Sequence, residues 1–198
     1  MNILAIDTAT DLSSISLFIN NKIVDTIKHE KVLSHSKVLA TSVALIIKKN
    51  KFDICNLDLI LLSIGPGSYS GLRVSSSFSK GLALALSKPI IPINTISAMS
   101  FFLENSGNYY VALYSHRDYV FYQEFLNGKA VGKQYCKKYS SLKSIKIYGY
   151  NISKIENIKS IDCQPSSVNL INYFFENKEN LMKKELTDIN PIYINKSK

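Results

Sequence analysis

The sequence predicts an α/β protein of two lobes, the second smaller and weaker in signal. Three observations lead there. Short apolar runs bounded by turn residues alternate with stretches of helical length. A glycine-rich turn, Gly65–Gly71, joins the most apolar of those runs to a helix. The stretch Glu104-Asn105-Ser106-Gly107-Asn108 has a linker's composition, and strand-like runs resume after it. The chain therefore divides into lobes spanning 1–104 and 105–198.

Residues 3 to 7, Ile-Leu-Ala-Ile-Asp, read as a buried strand stopped by an acid. Residues 13 to 19 form a second strand, Asn20-Asn21 a tight turn, and 23 to 27 a third strand, so the chain opens as an antiparallel meander. Residues 33 to 49 have helical length, with Ser34 as N-cap and lysines at the end that suits the dipole. Its apolar residues cover nearly two faces, which points to a sandwiched helix or to a partner on the second face. Residues 57 to 64 are the most buried strand. The helix after the glycine turn, about Leu72 to Leu86, carries a small-residue stripe (Ser77, Gly81, Ala85) beside a large one (Val74, Phe78, Leu82, Leu86). Pro89 to Ile93 reads as an edge or terminal strand and Ser97 to Glu104 as a short helix. In the second lobe, 109 to 114, 120 to 126 and 145 to 148 read as strands, with a turn at Asn127-Gly128. Ser166 caps a helix running towards Leu186, and Pro191-Ile192-Tyr193-Ile194 closes the chain.

The 198 residues are 46% hydrophobic and 20% charged, the balance of a folded protein. No apolar stretch approaches the ~20 residues that cross a bilayer, and the first residues lack the basic start of a signal peptide. Cys55, Cys136 and Cys163 form no CxxC pair, which points to a reducing, cytoplasmic setting and away from disulfide or zinc scaffolds. The net charge is +9, yet only Arg73 and Arg117 are arginines. Abundant Lys, Ile, Asn and Tyr fit AT-rich codons, so a solvated basic surface is the favoured reading over specific nucleic-acid binding by the chain alone.

Among the motifs, Gly65-Pro66-Gly67-Ser68-Tyr69-Ser70-Gly71 stands between strand and helix, where backbone N–H groups and a helix dipole suit a phosphate or carboxylate. Equally, the glycines can serve only a tight crossover. The loop is neither a Walker A, nor a dinucleotide fingerprint, nor GxSxG. Asp7, Thr8 and Thr10 sit at the tip of the first hairpin. They could hold a hydrated magnesium ion and a phosphate, but an Asx or Ser/Thr turn without ligand is favoured. The three histidines do not cluster, and His35, in a first helical turn, reads as a surface or capping residue. Arg73 follows the glycine loop and could clamp an anion or pair with an acid across an interface.

In combination these segments are more specific. Ile3-Leu4-Ala5-Ile6-Asp7-Thr8-Ala9-Thr10, Ser34-His35-Ser36-Lys37-Val38-Leu39, Gly65 to Arg73, Gly81-Leu82-Ala83-Leu84-Ala85 and Asn190-Pro191-Ile192-Tyr193, in this order and spacing, resemble the TsaB (YeaZ) family. The match is strong to about residue 104 and thin beyond. The resemblance implies the two-lobed actin, sugar-kinase and heat-shock-chaperone (ASKHA) fold, with mixed sheets flanked by helices and here a reduced second lobe. It implies a non-catalytic subunit in the formation of threonylcarbamoyladenosine on tRNA. That subunit binds a TsaD/Kae1-type catalytic paralogue, which a TsaE-type ATPase joins and which acts on tRNA within the complex; alone it can pair with itself. ATP and a metal ion belong to the partner subunits, and this chain needs no cofactor and no membrane. The paralogue's metal histidines match Thr95 and Met99 here, and a hydroxyl and a thioether do not replace two imidazoles. The family's helical interface maps onto 33–49 and 72–86, giving His35, Leu39, Val43, Ile46, Arg73, Val74, Phe78 and Leu82 as contact candidates. Asp7, Thr8, Thr10, Gly65, Gly67, Ser68 and Gly71 map onto a vestigial phosphate loop.

Two departures stand out. The family often has Asp-Ala-Arg where this chain has Leu113-Tyr114-Ser115-His116-Arg117, and often Leu-Arg where it has Ile194-Asn195. The competing expectations are an ATP-dependent small-molecule kinase or ATPase of the same fold, a protease, for which no metal pair or triad is visible, and an independent tRNA binder.

Overall fold

The five residues of β1 (Ile3–Asp7) are all buried, as expected for an apolar run at the centre of a sheet. The computed structural model of the protein describes residues 1–30, 34–103, 106–155, 158–183 and 189–194. β2 (Ser13–Ile19) and β3 (Lys22–His29) complete the antiparallel meander. Asn20 and Asn21 take φ of 50° and 62°, the left-handed pair that a tight hairpin turn requires. β4 (Leu59–Ser63) and β5 (Ile90–Ile93) pair parallel on the other side of β1, giving the order β3-β2-β1-β4-β5 with β5 at the edge.

α1 (His35–Lys49) has Ser34 at its N-cap position, but the Ser34 hydroxyl pairs with that of Ser36 at 2.9 Å instead of capping. The expected start at Leu33 lies outside the described residues. α2 (Tyr69–Leu86) starts three residues before the expected Leu72, because the Ser68 hydroxyl accepts from the Gly71 N–H at 3.2 Å and caps it. α3 (Thr95–Ser100) starts two residues early for a similar reason: the Asn94 side chain accepts from the Ser97 N–H at 3.0 Å. The linker residues Glu104 and Asn105, where the lobes were divided, lie outside the described residues.

The second sheet contains β6 (Asn108–His116), β7 (Tyr119–Leu126), β8 (Lys129–Lys138), β9 (Lys146–Tyr150) and β10 (Ile161–Asp162), in the order β10-β9-β6-β7-β8. As in the first sheet, three consecutive antiparallel strands are followed by two that add parallel to the first of the three. This duplicated topology is the ASKHA arrangement. β8 is not legible in the sequence, since Gly132 and its lysines mask the alternation.

α4 (Ser167–Glu176) is capped by Ser166, whose hydroxyl accepts from the Asn169 N–H at 3.2 Å, as expected. The chain then breaks at Asn177 into α5 (Lys178–Lys183) instead of continuing as one helix, and Leu186 lies outside the described residues. α4 was assigned to the second lobe by position. It packs instead on the first sheet: Leu170, Ile171 and Phe174 share a core with Ile3, Ala5, Leu59 and Leu61. α1 and α2 cover the opposite face, around Leu4, Ile6, Ile60 and Leu62. The first lobe therefore has three layers. The second sheet rests one face on Ile96 and Met99 of α3 and covers the other with short 3-10 turns bearing Tyr139, Leu142 and Ile152. The segment 189–194 runs back along the first lobe, where the Ile192 N–H donates to the Ile64 carbonyl at 2.7 Å.

Candidate functional site

The glycine loop does not stand open. Ser68, its middle residue, donates its N–H to the Ala9 carbonyl at 2.7 Å. The Thr8 hydroxyl donates to the Gly71 carbonyl at 2.8 Å. A Cβ at Gly67 would overlap the Ala9 carbonyl oxygen and lie 2.9 Å from its carbon, and one at Gly71 would overlap the Thr8 carbonyl oxygen. The two glycines are therefore required by the close approach of two backbones. Gly65 joins the loop to α3, accepting from the Thr95 N–H at 2.9 Å. The structure thus brings together every residue read as the phosphate loop, and it uses the Ser68 and Gly71 N–H donors internally.

The hairpin tip takes the turn form. Asp7 accepts from the Ala9 N–H at 2.9 Å, an Asx turn, and the Thr10 hydroxyl accepts from the Leu12 N–H at 3.2 Å. Asp7 is 3% exposed. Burial pushes its carboxyl up to about 6, against the smaller lowering by the Ala9 and Ser63 hydrogen bonds. A carboxyl so enclosed is a poor partner for a hydrated cation.

His35 is buried, not on the surface as its position suggested. One ring nitrogen, Nε2, lies 2.8 Å from the Thr10 carbonyl, so it carries the proton and donates; burial holds the imidazole below its ordinary range. His35 thereby ties α1 to the hairpin tip. Of the other contact candidates, Leu39, Val43 and Ile46 are buried in the first-lobe core, and Val74, Phe78 and Leu82 are half-buried against it. This corrects the interface assignment for Leu39, Val43 and Ile46. On α1 the stripe 39/43/46 is the core-facing one, and the sequence, apolar on both sides of α1, does not say which stripe turns inward; on α2 the buried stripe is Leu72, Ser75, Ser76, Ser79 and Ala83, with 74/78/82 half-buried on its flank. The outward face carries Ala40, Ala44 and Leu45 on α1 and Ser77, Gly81, Leu84 and Ala85 on α2. Leu84 is 83% exposed. Arg73 is also exposed, with its guanidinium 4.4 Å over the Tyr69 ring and its Nε donating to the Tyr193 hydroxyl at 3.3 Å.

A cleft of about 480 Å³ opens between the lobes beside the loop, walled by Ala9 and Ser68 on one side and Tyr114, Phe121 and Tyr150 on the other. Asp11 closes one end. It accepts from Asn151 at 2.8 Å and pairs with Lys154 at 3.2 Å, both from the second lobe. Burial alone would raise its pKa, but hydrogen bonds from Lys154, Tyr150 and Asn151 and the Lys154 charge together hold it below the usual range. Sequence reading missed Asp11, since nothing local distinguishes it from a turn residue. Thr95 and Met99, at the places of the paralogue's metal histidines, are both buried: the Thr95 hydroxyl pairs with that of Ser63 at 2.7 Å, and Met99 lies in the second-lobe core. Among the described residues, no three His, Cys, Asp or Glu side chains converge as metal ligands.

The duplicated lobes and the cleft between them define an ASKHA-type α/β protein. Comparison with known proteins narrows this. Residues 29–166 match the family model described as TsaD, tRNA N6-adenosine threonylcarbamoyltransferase. The chain is 26% identical over 132 residues to the tRNA threonylcarbamoyladenosine biosynthesis protein TsaB of Haemophilus influenzae, covering 65% of this chain and 56% of that protein. It is 35% identical over 99 residues to the protein of that name from Buchnera aphidicola subsp. Baizongia pistaciae, covering 50% and 44%. The chain thus spans about half the length of these curated relatives. YeaZ from Pseudomonas aeruginosa superposes with a TM-score of 0.77 at 16% identity, covering 98% of this chain and 99% of that one, which speaks to fold. The chain belongs to the TsaD family, and the relatives named TsaB are among those it resembles within it.

Proposed function

We propose that this chain is a scaffold and activating subunit in threonylcarbamoyladenosine formation on tRNA, and that it performs no group transfer itself. Its partner is a TsaD-type paralogue, which carries the catalytic metal and transfers the threonylcarbamoyl group; a TsaE-type ATPase joins them in the cytoplasm. The observation that carries this reading is the outward face of α2. Leu84 is 83% exposed beside Ser77, Gly81 and Ala85, small residues that let a second helix approach closely. The same face would pair two copies of the free chain. The closed glycine loop, the enclosed Asp7 and the buried Thr95 and Met99 support a role without ATP, metal or other cofactor in this chain.

The cleft of about 480 Å³ favours a second reading, an ATP-dependent small-molecule kinase or ATPase. An omission experiment separates the two. Transfer to tRNA is reconstituted with a synthase that makes the threonylcarbamoyl donor, the paralogue and the ATPase, with and without this chain. The subunit reading expects modification to fall to background on omission, to return with Asp7→Asn, and to stay low with Leu84→Asp. Undiminished modification without the chain overturns it. Magnesium-dependent ATP hydrolysis by the isolated chain, lost in Asp7→Asn, would establish the second reading.

A further inference from the structure

The net charge is unevenly placed. Residues 106–155, which build most of the second sheet, hold eight Lys and Arg against two acids, a net +6 out of the chain's +9. Much of it lies along one strand. β8 is the edge of the second sheet, is exposed from Lys129 through Lys133, and contains Lys129, Lys133, Lys137 and Lys138 with no acid. Lys138 pairs with Asp118 at 3.3 Å. Among the described residues no acid pairs with Lys129, Lys133 or Lys137.

Lysines on an edge strand also serve to block edge-to-edge pairing, so the equivalent strand of the first lobe is the proper comparison. β3 occupies the same place in the same topology. It carries Lys22 and Lys28 with Asp25 between them, and Asp25 is itself neutralised by Lys49 at 2.8 Å. Edge protection is thus achieved there with half the lysines and no excess field. β8 also has a feature that β3 lacks. The Lys133 and Lys137 ammonium groups lie 5.6 and 5.0 Å from the centroid of the Tyr135 ring, which stacks at 5.7 Å on Tyr122 of β7. The ring is fixed to the sheet, and it carries two cations side by side at a solvent-facing edge.

We propose that β8 is a docking strip for the phosphate backbone of RNA, resting on the reading of this chain as a subunit that meets tRNA within a complex. Lys129 to Lys137 lies opposite Leu126 to Val120 of β7 across a bulge, roughly 20 Å along the strand, a narrow line of point charges that suits a polyanionic backbone. Lysines there would contact phosphates without reading bases, so affinity would be independent of sequence and steeply dependent on salt.

The test uses the full chain and an unmodified tRNA transcript, with binding followed by fluorescence anisotropy across a salt series. Lys133→Glu/Lys137→Glu is compared with Lys22→Glu/Lys28→Glu, an equal charge change on the equivalent edge; Lys133→Gln/Lys137→Gln serves if the reversal fails to fold. The β8 variants are expected to bind at least about tenfold more weakly, and the slope of log affinity against log salt to flatten by roughly 1.4–1.8 for two lost contacts. The β3 variant is expected to bind nearly as the wild type does. Equal weakening by both pairs, or none by the β8 pair, overturns the inference. So does β8-dependent binding to phosphatidylserine vesicles without binding to tRNA. If the chain is needed in the omission experiment yet the β8 variants bind tRNA normally, the docking strip fails and the subunit reading stands. If the chain is dispensable there, the subunit reading fails whatever the binding result.

Discussion

Replacing Gly67 by alanine tests whether the glycine loop exists for packing or for an anion. The added Cβ would overlap the Ala9 carbonyl oxygen and stand 2.9 and 3.0 Å from the Ala9 carbonyl carbon and Cβ. Those atoms belong to a backbone that cannot rotate aside, since Asp7 and Ser68 hold the Ala9 N–H and carbonyl from either side at 2.9 and 2.7 Å. Overpacking of this kind costs about 1–3 kcal/mol, and losing the Ser68 hydrogen bond adds about 1 kcal/mol. At roughly 2–4 °C per kcal/mol for a chain of this size, the melting temperature should drop by roughly 5–15 °C. Circular dichroism melts and urea midpoints measure it. Gly81 is the control, because a Cβ there meets nothing within 4 Å. Gly81→Ala should stabilise α2 by about 0.5–1 kcal/mol. If Gly67→Ala melts within a degree of wild type, the close-approach argument is wrong. If in addition it abolishes stabilisation by ATP or phosphate, the loop is an anion cradle after all.

Gly81 also separates partner binding from stability: Gly81→Trp should leave the melting temperature nearly unchanged while cutting affinity for the TsaD-type paralogue at least tenfold, and calorimetric titration that finds wild-type affinity rejects the α2 face. Asp7 gives a pH signature. Its folded pKa of about 6 exceeds the ordinary 3.8, so between those values the folded chain binds more protons than the unfolded one, and stability falls as pH rises through the window. Asp7→Asn removes that fall; its melting temperature should match wild type near pH 4 and exceed it above pH 7 by the equivalent of up to ~3 kcal/mol, whereas parallel pH curves would show that Asp7 is not held neutral. Lys154→Ala breaks the Asp11 ion pair across the cleft. Because both side chains are partly solvated, the loss should stay within ~1 kcal/mol, yet hydrogen exchange at Tyr150 and Asn151 should accelerate, and unchanged protection there would show that the pair does not hold the lobes.

What the sequence disclosed depended on how local each signal was. The opening meander, the Asn20-Asn21 turn and the Ser166 cap need only neighbours, and they were legible. β8 was not, because its alternation is diluted by Gly132 and by lysines that belong to a surface. The α1 interface stripe failed for a different reason. Helical periodicity says that 39, 43 and 46 share a face, but a helix apolar on two sides does not reveal which face the sheet takes. His35 was misread because burial of a polar ring is decided by the Thr10 carbonyl, twenty-five residues away in sequence. The candidate loop was found by its glycines, but their purpose lay in Thr8 and Ala9, which only the fold sets against them.

The division at residue 104 shows the same limit at larger scale. Each sheet has the same strand order, so the chain looks like two equal units. Their cores are not equally self-contained. Leu170, Ile171 and Phe174 of α4, each at most 1% exposed, seal the face of the first sheet opposite α1 and α2. At roughly 1.5–3 kcal/mol per buried side chain, their contribution is comparable with the whole net stability of a domain, ~5–15 kcal/mol. A first lobe cut at 104 would lack that cover and leave Leu59, Leu61 and Ile93 in water. The first lobe therefore closes only with a helix that follows the second sheet in the chain. With α4 on one face of the first sheet and the α1–α2 pair on the other, the outward side of those two helices is one of the free surfaces of the first lobe, beside the β3 edge and the outer side of α4. Of these, the α1–α2 side combines small residues with the 83% exposed Leu84, which is why the proposed partner is placed there.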